Sequence, residues 1–92
     1  MNKVLIVDDE LHNRLLLQEV LEDFGGDGIQ LLSAANGSDA LAIIRAEKPD
    51  LVFLDIMLPD IDGFAICQTV KNEPGLDQIF IAHSHGQRPG GR

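Results

Sequence analysis

Short apolar runs alternate along this chain with segments in which apolar residues recur at helical spacing. Four compact runs, bounded by charged or turn-forming residues, predict β-strands. They are residues 3–7, 30–34, 51–54 and 78–82. Three segments between them have apolar residues every three or four positions and predict α-helices. They are residues 11–24, 38–47 and 63–72. The predicted helix ends are marked by Gly25, Gly26, Pro49, Pro74 and Gly75.

Strict alternation of strands and helices predicts an α/β fold with a parallel sheet and right-handed crossovers. In sheets of this kind, ligands bind at the carboxyl ends of the strands. Asp8 and Asp9 follow the first predicted strand directly, and Asp55 follows the third. If those two strands are neighbours, the three carboxylates converge at one edge of the sheet.

Converging carboxylates need a partner, because like charges held a few ångströms apart repel and raise one another's proton affinity. Oxygen ligands with open positions suit Mg²⁺, which keeps several waters and pairs with phosphate. A metal ion that bridges a carboxylate and a phosphoryl group would let Asp55 act as the nucleophile of an in-line transfer. The alternative is that the strands simply stop at polar residues and form no site.

Composition limits the other classes of function. The 92 residues form one small domain at most, and a formal net charge of −8 with scattered basic residues argues against a nucleic-acid surface. The longest nearly apolar run, residues 51–58, holds Asp55 and is too short to span a bilayer. Acidic residues interrupt the N-terminal apolar run at once, so no signal peptide is predicted. The single cysteine, Cys67, excludes an internal disulfide, and a reducing cytoplasm is the expected location.

Three segments resemble the receiver domain of bacterial two-component response regulators, the CheY-like family. VLIVDDE is similar to the family's first strand and acidic pair, and AANGSDAL to its second strand–helix junction. LVFLDIMLPDIDGF is similar to the family's phospho-acceptor strand, its metal-binding loop and the glycine of the next helix. The resemblance covers about residues 3–81 and implies a flavodoxin-like, doubly wound parallel sheet with strand order 2-1-3-4.

The resemblance also implies roles for individual residues. Asp55 would accept a phosphoryl group from a sensor histidine kinase or a phosphotransfer protein, as a signalling protein and not as an enzyme. The implied cofactor is Mg²⁺, held directly by Asp9 and through water by Asp8. Asp55 and the backbone carbonyl of Met57 would complete the protein ligands.

The loop after the predicted acceptor holds residues with implied structural roles. Pro59 would fix φ, and Gly63 would allow close approach of the backbone. Asp60 and Asp62 are interpreted as solvent-facing loop acids.

The sequence departs from the family at its C-terminal end. The family has five strand–helix units, with Thr or Ser after the fourth strand and Lys after the fifth, whereas this chain predicts four strands and three helices. The family's spacing puts the hydroxyl position on His85, with Ser84 one residue early, and no Lys follows Lys71. The chain is therefore interpreted as a truncated receiver over residues 1–83 with a disordered or atypical tail over residues 84–92. Phosphorylation is expected to be impaired.

A missing fifth unit would leave one face of the sheet covered by the first helix alone and the fourth strand as an open edge. The predicted consequence is a homodimer formed through the uncovered face or the edge strand. The alternative function is thus a non-catalytic module that self-associates without productive phosphotransfer. A nonfunctional remnant of a broken gene is a third hypothesis.

Overall fold

The computed structural model describes residues 2–25 and 28–84. Seven elements follow one another in the predicted alternating order. They are β1 (Asn2–Val7), α1 (Leu11–Gly25), β2 (Ile29–Ala34), α2 (Gly37–Glu47), β3 (Leu51–Asp55), α3 (Gly63–Asn72) and β4 (Phe80–Ser84). Gly26, one of the predicted helix ends, lies outside the described ranges. Of the tail predicted over residues 84–92, Ser84 is the last residue of β4, and residues 85–92 lie outside the described ranges. None of the three helices in these ranges is long and apolar enough to cross a membrane.

All four strands pair in parallel, in the order β2-β1-β3-β4. This order confirms the predicted topology. It makes β1, which is followed by Asp8 and Asp9, a direct neighbour of β3, which ends at Asp55. Val7 of β1 is paired with Leu54 of β3. Since Asp8 follows Val7 and Asp55 follows Leu54, Asp8 and Asp55 lie at the same level of the sheet.

The main core lies between one face of the sheet and helices α2 and α3. Side chains alternate between the two faces of a strand, and Leu5, Val52 and Leu54 are almost completely buried on this face. They form one cluster with Ile44 of α2 and Ile66 of α3, which have no exposed surface. Burial of each such side chain stabilises the fold by about 1.5–3 kcal/mol. This layer therefore fixes the positions of the strands.

Helix α1 covers the opposite face of the sheet less completely. Ile6 of β1 is fully buried on this face, whereas Phe53 of β3 and Ala82 of β4 are half-buried. Among residues 11–23, the part of α1 whose side chains are described, none is fully buried. An open groove of about 490 Å³ lies between α1, β3 and β4. Among the described residues, α1 is thus the helix that covers this face, as predicted, and a groove remains open beside it.

The fourth strand lies two residues later than predicted, because β4 spans Phe80–Ser84 and not residues 78–82. Leu76 and Ile79 are buried core residues of the turn that precedes it. The N–H of Ile79 donates to the carbonyl of Leu76 at 3.0 Å, which is a turn and not a ladder bond. The apolar pattern assigned Ile79 to the strand because burial alone does not distinguish a strand from a packed turn.

Candidate functional site

Three carboxylates meet at the carboxyl edge of the sheet. The side chains of Asp8, Asp9 and Asp55 each place one oxygen within 4.8 Å of the other two. Asp8 and Asp55 are half-buried, and Asp9 is exposed. Strand register produces this arrangement, because Val7 and Leu54 are paired and the next residue of each strand is acidic. The convergence that the sequence predicts is therefore present in the fold.

Backbone contacts hold Asp8 in place at the end of β1. Its N–H donates to the carbonyl of Ala34 at 3.1 Å, which continues the contact between β1 and β2 by one residue. Its Oδ1 accepts from the N–H of Glu10 at 3.0 Å, and its carbonyl accepts from Nη1 of Arg14 at 2.8 Å. The Asp8 carboxylate is therefore oriented by the backbone that leads into α1.

The Asp55 carboxylate is oriented by the loop that follows it. Its Oδ1 accepts a hydrogen bond from the N–H of Met57 at 3.0 Å. The N–H of Gly63 donates to the carbonyl of Ile56 at 3.0 Å and closes the loop at the start of α3. A Cβ atom at Gly63 would lie 2.6 Å from the Cα of Ile56, so this approach requires glycine. Gly63 thus has the close backbone contact that was predicted for it.

The donor set fits a hard divalent cation. All three side chains offer carboxylate oxygens, which are the ligands that Mg²⁺ prefers. Metal–oxygen distances of about 2.0–2.1 Å put two ligands of one Mg²⁺ roughly 3–4 Å apart, close to the spread of these oxygens. The ion pairs Lys3–Glu47 and Arg45–Glu73 lie at the opposite edge of the sheet, so neither neutralises the cluster.

Two acids of the loop between β3 and α3 bind the first turns of helices, a role that was not predicted for either of them. Asp60 and Asp62 are exposed, as predicted, but both accept hydrogen bonds from helix backbone. Asp62 Oδ1 accepts from the N–H of Phe64 at 3.0 Å and caps α3. Asp60 accepts from the N–H groups of Gly37 and Ser38 at the start of α2. An Asp before a helix-starting glycine is a recognisable cap signal, whereas nothing local links Asp60 to α2.

At the end of β4, the backbone of Ser84 is paired with that of Asp55. The family's spacing puts Ser84 one residue before the hydroxyl position. In the structure, the register of β3 and β4 sets Ser84 at the same level of the sheet as Asp55. His85, the residue assigned to the hydroxyl position, lies outside the described residues. The ring of His83 meets that of Phe64 edge-on, with centroids 5.9 Å apart. This end of β4 lines the groove that reaches the acids.

Comparisons with known proteins point to one family. The family model described as response regulator receiver domain matches residues 4–89. Sporulation initiation phosphotransferase F of Bacillus subtilis (strain 168) is 41% identical over 85 residues, which cover 92% of this chain and 66% of that protein. The alkaline phosphatase synthesis transcriptional regulatory protein PhoP of the same strain is 42% identical over 79 residues, which cover 86% of this chain and 32% of that protein. The chain therefore spans about a third of the length of the transcriptional regulators that it matches.

Solved structures agree with the family match. The signal receiver domain of the DNA binding response regulator protein (merR) from Colwellia psychrerythraea 34H has a TM-score of 0.88 and 29% identity, and the match covers 98% of this chain and 72% of that chain. Chemotaxis response regulator CheY4 of Vibrio cholerae has a TM-score of 0.81 and 29% identity. That match covers 90% of this chain and 67% of the CheY4 chain. Together with the family match over most of its length, these likenesses show that the chain belongs to the response regulator receiver domain family.

Proposed function

We propose that this chain acts in two-component phosphorelay signalling, in which Asp55 accepts a phosphoryl group in a Mg²⁺-dependent reaction. The observation that carries the proposal is the meeting of three carboxylates within 4.8 Å at the ends of β1 and β3. Mutual repulsion makes such a cluster unfavourable without a cation. Membership of the receiver family supports phosphoryl acceptance as the chemistry of the cluster.

In this proposal Asp8, Asp9, Asp55 and the backbone carbonyl of Met57 hold the ion. When bound, Mg²⁺ supplies neutralisation of the charge on the phosphoryl oxygens. Asp9 is exposed and can turn its carboxylate toward the ion directly. Asp8 already accepts a hydrogen bond from the N–H of Glu10 on one oxygen, which suits a contact through water. The carboxylates thereby become a binding site for a phosphate ester or phosphoramidate.

In the transfer step, an oxygen of Asp55 attacks the phosphorus of a phosphohistidine on the donor protein. An O–P bond forms as the P–N bond to the imidazole breaks, and the departing imidazole takes a proton from solvent. The N–H of Met57 holds Oδ1 at 3.0 Å, which leaves Oδ2 as the attacking oxygen. The half-buried position of Asp55 at the end of a parallel strand restricts its motion. Positioning of this kind is a large part of phosphoryl-transfer catalysis.

The proposed donor is a sensor histidine kinase or a phosphotransfer protein. Leu11 and Leu15 of α1 are 60% and 52% exposed, and they lie one helical turn apart directly after the acidic pair. Exposed apolar side chains at this spacing form an anchor for an amphipathic helix. A donor helix seated there would carry its phosphohistidine to the edge of the sheet that holds Asp55.

Transfer is expected to be slow. The residues that line the groove beside Asp55 include no lysine in the described part of the chain. A single donor aimed at transition-state charge is worth about 2.7–4 kcal/mol, or roughly 100- to 1,000-fold in rate. We therefore expect phosphorylation of Asp55 to be slower by about that factor than in a receiver domain in which a lysine contacts the phosphoryl group.

The test is labelling by acetyl phosphate with Mg²⁺, followed by intact-protein mass spectrometry. The wild-type chain should slowly gain the mass of one phosphoryl group, and Asp55→Asn should gain none. Asp77→Asn is the matched control, because it removes the same charge from an exposed turn at the opposite edge of the sheet. Chelation of Mg²⁺ should abolish labelling. Equal labelling of wild type and Asp55→Asn would refute the assignment of the acceptor.

The groove beside α1 favours a second candidate function, a self-associating module without productive phosphotransfer. Leu16 of α1 lines the groove and is 47% exposed, and Phe53 lines it from the sheet. Phe80, at the start of the edge strand β4, is 67% exposed. A second copy that covers these side chains would form the homodimer predicted from the sequence. Light scattering at several concentrations, with and without Mg²⁺, tests this function, and a monomer throughout would contradict it.

A further inference from the structure

One carboxylate ties the loop after Asp55 to the first turn of helix α2. Oδ1 of Asp60 accepts from the N–H of Gly37 at 2.7 Å, and Oδ2 accepts from the N–H of Ser38 at 3.0 Å. Oδ1 also accepts from the N–H of Ile61 at 2.9 Å, which fixes the orientation of the side chain. We call this set of three hydrogen bonds the Asp60 bracket. It joins two segments of the chain that are 23 residues apart.

The Asp60 bracket is not needed to cap α2 locally. The helix has its own cap, Asn36, whose side-chain oxygen accepts from the N–H of Asp39 at 2.8 Å. The bracket uses the N–H groups of Gly37 and Ser38, which have no partner within the helix because they belong to its first turn. A carboxylate from outside the helix is favoured there by hydrogen bonding and by the helix dipole. The bracket therefore acts as a link between α2 and the loop.

The space at Gly37 is shaped for this link. A Cβ atom at Gly37 would lie 2.7 Å from Cβ of Ile61 and 3.2 Å from Oδ1 of Asp60. Any side chain at this position would push the loop away from α2, so glycine is required by proximity. The close approach and the hydrogen bonds are independent observations of the same contact.

The other end of the loop carries the proposed phosphoryl-acceptor site. The loop starts at Asp55, whose Oδ1 accepts from the N–H of Met57, and it closes where the N–H of Gly63 meets the carbonyl of Ile56. Between these anchors the Asp60 bracket is its contact with α2. Asp60 follows Met57 closely in this loop, which is held at both ends, so a shift of the backbone at Met57 is expected to reach Asp60.

We propose that Asp60 is a positioning residue, which holds the loop in the geometry that binds Mg²⁺ and couples occupancy of the acidic site to the first turn of α2. The inference rests on the proposed function, because it takes the acidic cluster to be the Mg²⁺ site. The hydrogen bond from Gly37 lowers the pKa of Asp60 below its ordinary value, with a further contribution from Ser38 and an opposing one from desolvation. The carboxylate is consequently ionised at neutral pH, as the bracket requires.

The experiment is a Mg²⁺ titration of the whole chain followed by amide nitrogen–proton correlation spectra. In the wild type, the amides of Asp9, Asp55 and Met57 should shift, and those of Gly37 and Ser38 should shift with the same apparent Kd. In Asp60→Ala, the acidic-site amides should still shift, but with a Kd roughly tenfold weaker, as expected if binding loses the equivalent of about one hydrogen bond to a charged group. The amides of Gly37 and Ser38 should no longer follow Mg²⁺.

Three further variants separate positioning from charge and from folding. Asp62→Asn removes a carboxylate of the same loop but keeps an equally good helix cap, so its Kd should stay within about twofold of wild type. Gly37→Ala changes no charge but forces the bracket apart, so its Kd should weaken as in Asp60→Ala. Asp60→Asn keeps one acceptor oxygen and should restore part of the affinity, which a general loss of stability would not produce.

The outcomes distinguish this inference from the function on which it rests. If the acidic-site amides shift while Gly37 and Ser38 stay unchanged in the wild type, the coupling is wrong and the Mg²⁺ site stands. If Asp62→Asn weakens binding as much as Asp60→Ala, the effect is that of charge, and the positioning role is wrong. If no amide at the acidic site responds to Mg²⁺, the proposed function fails and this inference fails with it.

Discussion

The two faces of the sheet are built from similar apolar residues and are covered very differently. On one face, Val52 and Leu54 pack with Ile66 of α3 into a core with almost no exposed surface. On the other face, Phe53 of the same strand is half-buried, and Leu16 of α1 is 47% exposed beside it. Neighbouring residues of β3 therefore differ in burial, because Val52 and Leu54 lie in the packed core and Phe53 lies beside the open groove. The packed face holds the strands that carry the acids in register, and the open face leaves apolar side chains exposed to solvent.

Equal truncations of side chains on the two faces should lower the free energy of unfolding by very different amounts. Ile66→Ala should lower the free energy of unfolding by about 2–5 kcal/mol, because it leaves a cavity in the packed core. Leu16→Ala, on the open face, should cost less than about 1 kcal/mol, because its side chain is half in water already. Urea denaturation followed by circular dichroism measures both. Similar costs would show that both faces contribute equally to stability.

If the open face is the interface of the proposed homodimer, a charge placed on it should weaken self-association with little effect on the fold. Leu16→Glu is expected to weaken a homodimer about 10- to 100-fold, because one buried leucine contributes about 1.5–3 kcal/mol. Sedimentation equilibrium or light scattering measures the dissociation constant. Glu19→Gln, a change on an exposed residue of the same helix, is the control and should leave the constant unchanged. A dimer that resists Leu16→Glu would place the interface away from the groove.

The close backbone approach at the start of α3 leaves no room for a side chain at Gly63. Gly63→Ala puts a Cβ atom 2.6 Å from the Cα of Ile56, so the loop must shift, at a cost of about 1–3 kcal/mol. Gly28→Ala is the matched control, because a Cβ there meets nothing within 4 Å. Thermal unfolding of both variants tests the difference. An unchanged melting temperature in Gly63→Ala would show that the loop relaxes without cost.

The hydrogen bonds of Asp60 to the start of α2 should make a small, pH-dependent contribution to stability. The hydrogen bond from Gly37 is the main cause that lowers the pKa of Asp60 from its ordinary value of 3.8. Because the folded pKa lies below the unfolded one, the ionised side chain stabilises the fold above the unfolded pKa. That contribution is lost as the pH falls through the folded pKa. The difference in melting temperature between wild type and Asp60→Ala should therefore be largest near neutral pH and shrink below pH 3.8.

Thermal scans in a series of buffers measure this pH dependence. Asp77→Ala is the control, since Asp77 is exposed in the turn before β4 and its variant should track the wild type across the series. If the difference in melting temperature between wild type and Asp60→Ala stays constant as the pH falls, the charge of the Asp60 carboxylate makes no contribution to stability.

The parts of this molecule that could be predicted from sequence are those marked by a periodic apolar pattern or by residues next to each other in the chain. Alternating apolar runs predicted the order of strands and helices, and the acids that end two of the runs predicted the cluster. The start of β4 was missed because Ile79 is buried in a turn, and an apolar residue has the same pattern in either setting. The contact of Asp60 with α2 was missed because it joins residues brought together only by the fold.

The pairing of Val7 with Leu54 limits how this sequence can drift over evolutionary time. Exchange of one apolar residue for another of similar volume in β1 or β3 leaves the pairing intact. Insertion or deletion of a single residue in either strand would turn the acid that follows to the other face of the sheet. Such a change would disperse the carboxylate cluster even if the fold survived. Descendants of this chain that keep the cluster are expected to vary in the identity of these strand residues and not in their number.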